Sequence, residues 1–148
     1  MNELSLPTST DAAIRRVEEL GEALKQNFPE YVFPVEHSLH GGMYARTIRM
    51  PAGTAAVGTL IRVPTLLIVS GHVRINSGDR VYELQGYHVL EGEINRKQMA
   101  WALEDTEITM IFATQAKTVD EAEREFTVEF EQLSLIHISE PTRLALIS

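Results

Sequence analysis

The spacing of apolar residues changes period twice along this chain. Ile14, Val17, Leu20 and Leu24 recur every three or four positions, with Arg15, Arg16, Glu18, Glu19 and Glu22 between them. That period predicts an amphipathic helix. Ser9, Thr10 and Asp11 supply N-cap chemistry at its start, and Pro29 disfavours helix in the residue before it. Gly21 inside the helix costs about 1 kcal/mol relative to alanine, so tertiary packing must hold that turn. Residues 29–42 read as a connector bounded by proline and glycine. From Met43 the period becomes two, with Tyr44, Arg46, Ile48 and Met50 alternating against Met43, Ala45, Thr47 and Arg49. Strands are predicted at about 43–50, 54–61, 65–70, 72–76, 81–84, 87–91, 98–103 and 107–114.

The punctuation between these runs is turn chemistry. Pro51-Ala52-Gly53 and Asn76-Ser77-Gly78-Asp79 form turns, and Gly86 and Gly92 mark bends. Ser70-Gly71-His72 reads as a β-turn. Many short strands at close spacing predict a mainly β sandwich or barrel. Thr118 with Glu121 is a capping-box pair opening a short helix at about 119–126. Phe126, Val128 and Phe130 also alternate as a strand would, so the C-terminal element is a helix or a strand.

LSLIHISEPTR at 133–143 matches one reading frame of a common transposase-end sequencing adapter. The native sequence is therefore expected to end near Gln132, with His137 outside any ligand count. The chain divides into an N-terminal helical extension (1–30), a barrel with its C-terminal element (31–132) and a non-native tail (133–148).

With 148 residues and 44% hydrophobic composition, one domain with a real core is expected. The absence of cysteine excludes disulfides, zinc–thiolate sites and thiol nucleophiles. A net charge of −8 argues against general binding of nucleic acid or anionic membrane. No basic-then-apolar leader or membrane-length apolar run is present, so a cytoplasmic location is expected, the host's cytoplasm if a phage encodes the chain.

GMYAR at 42–46, Pro51-Ala52-Gly53-Thr54, Gly58, LLIVSG at 66–71 and Ala102-Leu103-Glu104-Asp105-Thr106 stand in one order. In that order they resemble the small cupin-like proteins of phages and prophages, with an RmlC-like jelly roll. The resemblance covers roughly residues 40–118. It implies a cupin-like double-stranded β-helix, here with an N-terminal α-helix and a short C-terminal helix or strand. In metal-binding cupins, histidines and a carboxylate lie between the residues matching Gly58 and Gly71, and a further histidine lies near 95–99. Here those positions hold Leu60, Ile61, Arg62, Val63, Pro64 and Thr65, then Asn95, Arg96, Lys97, Gln98 and Met99. The resemblance therefore implies a barrel without its metal or any other cofactor.

His37 and His40 stand three apart, but a transition metal needs further donors. No serine, histidine and acid form a nucleophile arrangement, and the glycines follow no phosphate-loop spacing. No catalytic residue is assigned. Tyr44, Arg46, Arg62, Arg96, Lys97 and Trp101 are instead expected to line a binding pocket. Guanidinium groups bond planar anions bidentately, and aromatic rings can stack on a base. The expected function is non-catalytic binding of a small anionic, nucleotide-type ligand by a homo-oligomer. Its use would be sequestration of a host immune signal by a phage anti-defence protein. One alternative is a phage accessory or assembly protein with no small ligand. Another is a metal-independent sugar-nucleotide epimerase or isomerase, for which His40, His72, His88, Tyr82 and Tyr87 are the candidate acid and base groups.

Overall fold

A computed structural model of the chain describes residues 5–129 and 137–138. In order, the elements are β1 (Ser5–Leu6), α1 (Asp11–Asn27), β2 (Val35–His40), β3 (Met43–Met50) and β4 (Ala55–Val57). They continue with β5 (Thr65–Asn76), β6 (Val81–Gly92), β7 (Met99–Ala102), β8 (Thr106–Ala113), α2 (Val119–Phe126) and β9 (His137–Ile138). Beyond that last two-residue strand, the segment read as a non-native tail lies outside the described residues.

The long antiparallel pair β5–β6 organises everything else. It runs in unbroken register from Thr65↔Gly92 to Asn76↔Val81. Along its other edge, β5 pairs with β8 through 66–70 and with β7 through 73–76. One strand thus serves two sheets. The first is built from β2, β3, β8, the first half of β5, and β6 with β1 at its edge. The second is built from β9, β4, β7 and the second half of β5. The switch falls at the facing pair Gly71↔Gly86, where φ is +144° and +94°. Side chains rarely adopt such backbone angles, so glycine is required for both strands to turn the corner together. What the sequence presented as a β-turn at Ser70-Gly71-His72, and as a break at Gly86, is therefore a bend inside continuous strands. Thr106 fills the corner: its hydroxyl accepts from the His72 N–H at 3.0 Å and lies where a Cβ on Gly71 would fall.

The predicted connector at 29–42 contains β2. Gly41 and Gly42, with φ of +61° and +77°, close a two-residue hairpin that sets His40 opposite Met43. Two successive positive φ values are what a tight hairpin with right-handed strand twist demands. Charged and polar side chains at Glu36, His37, Ser38 and His40 hide this strand from a hydrophobic pattern, because it is an edge strand exposed along most of its length.

Helix α1 starts where the sequence placed it, with Thr10 as N-cap accepting from the Ala13 N–H. Its buried stripe is Ala13, Val17, Gly21 and Leu24, rotated from the expected one, and Leu20 is exposed. The reason is close approach. A Cβ on Gly21 would lie 2.9 Å from Val57 Cγ1, so the helix rests its small residues on β4. α2 is a helix through Phe126, with Thr118 accepting from the Glu121 N–H. Glu121 returns its carboxylate to the Lys117 N–H, one residue before the cap. Ala122 and Phe126 turn into the barrel against Tyr44, Met110 and Phe112.

Gly78 lies in the β5–β6 hairpin at φ +90°, and a Cβ there would meet the Ala13 carbonyl at 2.3 Å. Gly86 has a similar angle but open space beside it. Gly86→Ala should cost about 1–2 kcal/mol from backbone strain alone. Gly78→Ala should add about 1–3 kcal/mol of overpacking and displace α1. Urea unfolding of the two variants checks the ordering, and equal losses would contradict it.

Candidate functional site

The inner face of the first sheet is apolar in most rows. Arg46, Met110, Leu67 and Leu90 stand in register across β3, β8, β5 and β6, and Ile48, Ile108 and Val69 form the next row. The barrel does not fill completely. A cavity of about 180 Å³ remains, walled by Ile48, Leu67, Ile108, Met110 and Phe126 and by Leu6, Ala56 and Ile61 elsewhere on its surface. Its polar wall includes Arg46, Thr59, Arg96 and Gln98.

Arg96 is the unusual member. It is 1% exposed, and an isolated bridge to Ile61 brings together the two segments that the sequence had singled out. The guanidinium donates one Nη to the Glu93 carbonyl at 2.7 Å and the other to Thr65 Oγ1 at 2.6 Å. Among the described residues its Nε has no partner. Gly92 makes room for it: a Cβ there would lie 2.4 Å from Cζ and 2.6 and 2.7 Å from the two Nη atoms. Those near-equal distances place the Gly92 backbone over one face of the guanidinium plane. Among the described residues, no carboxylate forms an ion pair with this cation. Burial pushes its pKa down to about 10, opposed only by the charge of Glu93. The folded state thus holds the proton less firmly than the unfolded chain, so the charge opposes folding at neutral pH.

Arg46 is the second cation of the wall, and it is neutralised. It pairs with Glu123 of α2 at 2.8 Å, with side chains 11% and 20% exposed. A pair this sheltered is held far more firmly than a surface ion pair. It ties α2 across β3. Tyr44, two residues away on the same face, is fully buried, with its ring edge-on to Phe112 and stacked on Phe126. Burial raises the Tyr44 pKa, so the phenol keeps its proton, and its hydroxyl shares a hydrogen bond with His37 Nδ1 at 2.8 Å.

Of the six residues expected to line one pocket, Arg46 and Arg96 reach the cavity wall. Tyr44 is core. Arg62 lies outside the barrel, where its Nη2 donates to the Arg124 carbonyl at 2.7 Å and caps the end of α2. Lys97 is 7% exposed, but its Nζ lies between Glu18 at 3.4 Å and Glu129 at 3.3 Å, joining α1 to the segment after α2. Trp101 is buried on the face of β7 that carries Met99, opposite the cavity-lining Gln98 and Ala100. Strand alternation explains the split: residues one apart point to opposite faces. Gln98, with a buried Nε2 that lacks a partner, is a wall residue the sequence reading passed over. Its parity with Ala100 would have pointed to it once the Met99 face was known to lie under α1.

None of His40, His72, His88, Tyr82 and Tyr87 belongs to the cavity wall. His72 bonds Glu83 at 2.7 Å on the outside, and Tyr82 lies in the core cluster with Leu6, Val73 and Leu84. Among the described residues, no three His, Cys, Asp or Glu side chains converge to hold a metal ion. The wall offers guanidinium and hydrocarbon where a divalent cation needs imidazole, thiolate or carboxylate, so these residues do not fit a metal.

No protein-family model and no curated protein matches the sequence. Solved structures do match the backbone. A cupin superfamily protein from Desulfitobacterium hafniense DCB-2 superposes with a TM-score of 0.50 at 13% identity, over 59% of this chain and 82% of that one. KdgF from Halomonas sp. does so with a TM-score of 0.50 at 15% identity, over 63% and 87%. The barrel has the cupin fold. At such identity the likeness establishes the double-stranded β-helix and leaves chemistry to the residues of this chain. Among the described residues, no helix is long and apolar enough to cross a membrane.

The burial of His37 beside Arg46 has a pH consequence. Burial, then the charge of Arg46, lowers the His37 pKa below its ordinary 6.5, with Glu123 opposing. The unfolded imidazole therefore takes its proton first as pH falls, and the stability of the buried neutral His37 is present above pH 6.5 and lost below it. In His37→Asn, the fall in Tm between about pH 7 and about pH 5 should be smaller than in the wild type. Thermal unfolding at both pH values checks this.

Proposed function

We propose that this barrel is a binding module for a small organic anion, held in the cavity against Arg96. The observation that carries the reading is the buried guanidinium with an unpartnered Nε and no carboxylate partner among the described residues. A desolvated, unpaired charge is costly to keep in a fold, and an arriving anion relieves that cost. Sequestration is favoured over turnover because the candidate acid and base groups lie off the cavity wall. Use of such a binder by a phage, to withhold a host signal, belongs to this proposal.

The nucleotide-type ligand expected from the sequence fits the geometry less well than a smaller anion. The cavity is about 180 Å³, against roughly 300–1,000 Å³ for common ligand sites. Neither Tyr44 nor Trp101 offers it a ring. An assembly protein with no small ligand has no use for an interior space, and the open volume favours a ligand over that alternative. Self-association is a separate part of the proposal. The outer face of β5 and β6 exposes Leu66, Tyr87 and Val89 in a patch suited to a second copy.

Arg96→Met should remove anion binding and, by deleting an unpaired buried charge, raise the unfolding free energy by about 1–3 kcal/mol. Native mass spectrometry and calorimetric titration with acetate, benzoate, inorganic phosphate and AMP check the binding, and urea unfolding checks the stability. One anion per wild-type chain, lost in the variant, is the expected result. No binding of any anion by the wild type would overturn the reading in favour of an assembly role.

A further inference from the structure

We infer that the ligand is a monocarboxylate with a compact apolar body, such as an aromatic, cyclic or branched-chain acid. This rests on the anion-binding reading above and names its ligand class. Three independent features of the cavity define the class.

Charge comes first. Arg96 and Arg46 are the cations of the wall, and Glu123 cancels Arg46 at 2.8 Å. One uncompensated positive charge remains, so a monoanion neutralises the site. A dianion would leave a buried negative charge without a partner, which a low-dielectric wall penalises heavily.

Donor geometry comes second. A guanidinium has five N–H donors in one plane. Two Nη donors of Arg96 are committed to the Glu93 carbonyl and Thr65, and Nε is unpartnered. Gly92 covers one face of the plane, which closes that face to stacking. Nε with its adjacent Nη is the guanidinium edge that matches the two oxygens of a carboxylate, and Nε is a buried donor without a partner among the described residues. Gln98, on the same wall, carries a second buried amide nitrogen without a partner among the described residues.

The remaining wall comes third. Apart from these groups and the single hydroxyl of Thr59, the cavity is surfaced mainly by Ile48, Leu67, Ile108, Met110 and Phe126, which reward hydrocarbon and cannot satisfy several hydroxyls or a phosphate. Its volume of about 180 Å³ slightly exceeds the roughly 150 Å³ of apolar cavities that take up benzene. A six-carbon body with one carboxylate fits that space, whereas a nucleotide or hydrated sugar acid exceeds or mismatches it.

Isothermal titration of the full chain with benzoate, cyclohexanecarboxylate, acetate, benzamide, phthalate and inorganic phosphate tests the inference. Benzoate or cyclohexanecarboxylate should bind at least about tenfold tighter than acetate, benzamide, phthalate and phosphate. Glu123→Gln frees the Arg46 charge, so phthalate should gain about tenfold relative to benzoate in that variant, with circular dichroism confirming the fold. Phosphate binding more tightly than every carboxylate would overturn the ligand class while leaving the anion-binding reading standing. Benzamide matching benzoate would overturn the charge argument, as would unchanged selectivity in a folded Glu123→Gln. Failure of every anion to bind would sink both the class and the reading beneath it.

Discussion

The structure hangs on a corner shared by two strands. β5 and β6 stay hydrogen-bonded to each other over their full length, yet the two halves of β5 take different partners on its other edge, β8 and then β7. A ribbon can do this only if both strands bend at the same rung, which is what the facing glycines Gly71 and Gly86 permit. Closing two sheets around one ribbon creates an interior. Elements outside the barrel then seal it: α1 lies over β4 through Gly21 and Val57, and α2 brings Ala122 and Phe126 against the aromatic cluster at the other side.

Within that interior the two arginines are treated differently, and the difference defines the site. Arg46 projects from a regular strand position and meets a carboxylate carried by α2. Arg96 lies in the irregular stretch between β6 and β7, next to Asn95 with its positive φ of +56°. There it packs on Gly92 and, among the described residues, meets neutral acceptors, the Glu93 carbonyl and the Thr65 hydroxyl. A fold tolerates a desolvated cation with incomplete partners when function uses the deficit, because stability and site quality oppose one another at such positions.

Much of the fold was legible in local pattern. Period-two alternation marked β3 and β8, helical spacing marked α1, and the Asn76-Ser77-Gly78-Asp79 turn appeared where expected. β2 was missed because an exposed edge strand carries polar residues at nearly every position, leaving no alternation to read. The break assigned between two short strands at Gly71 was a bend, since glycine signals an unusual φ without saying whether hydrogen bonding stops there. The site was legible only in part. Arg46 and Arg96 were identifiable as cations in the segments that matter, but Arg62, Lys97 and Trp101 lie next to wall positions and face away from the cavity.

What the sequence by itself determined was a set of local states: where most helices and strands begin and which turns need glycine. These follow from backbone sterics and side-chain periodicity, which act over a few residues. Only the tertiary structure decided that Glu123 would reach Arg46 across 77 positions while Arg96 would find no carboxylate among the described residues. Pairing between charges depends on which elements pack together and on strand parity, and a shift of one residue exchanges wall for surface.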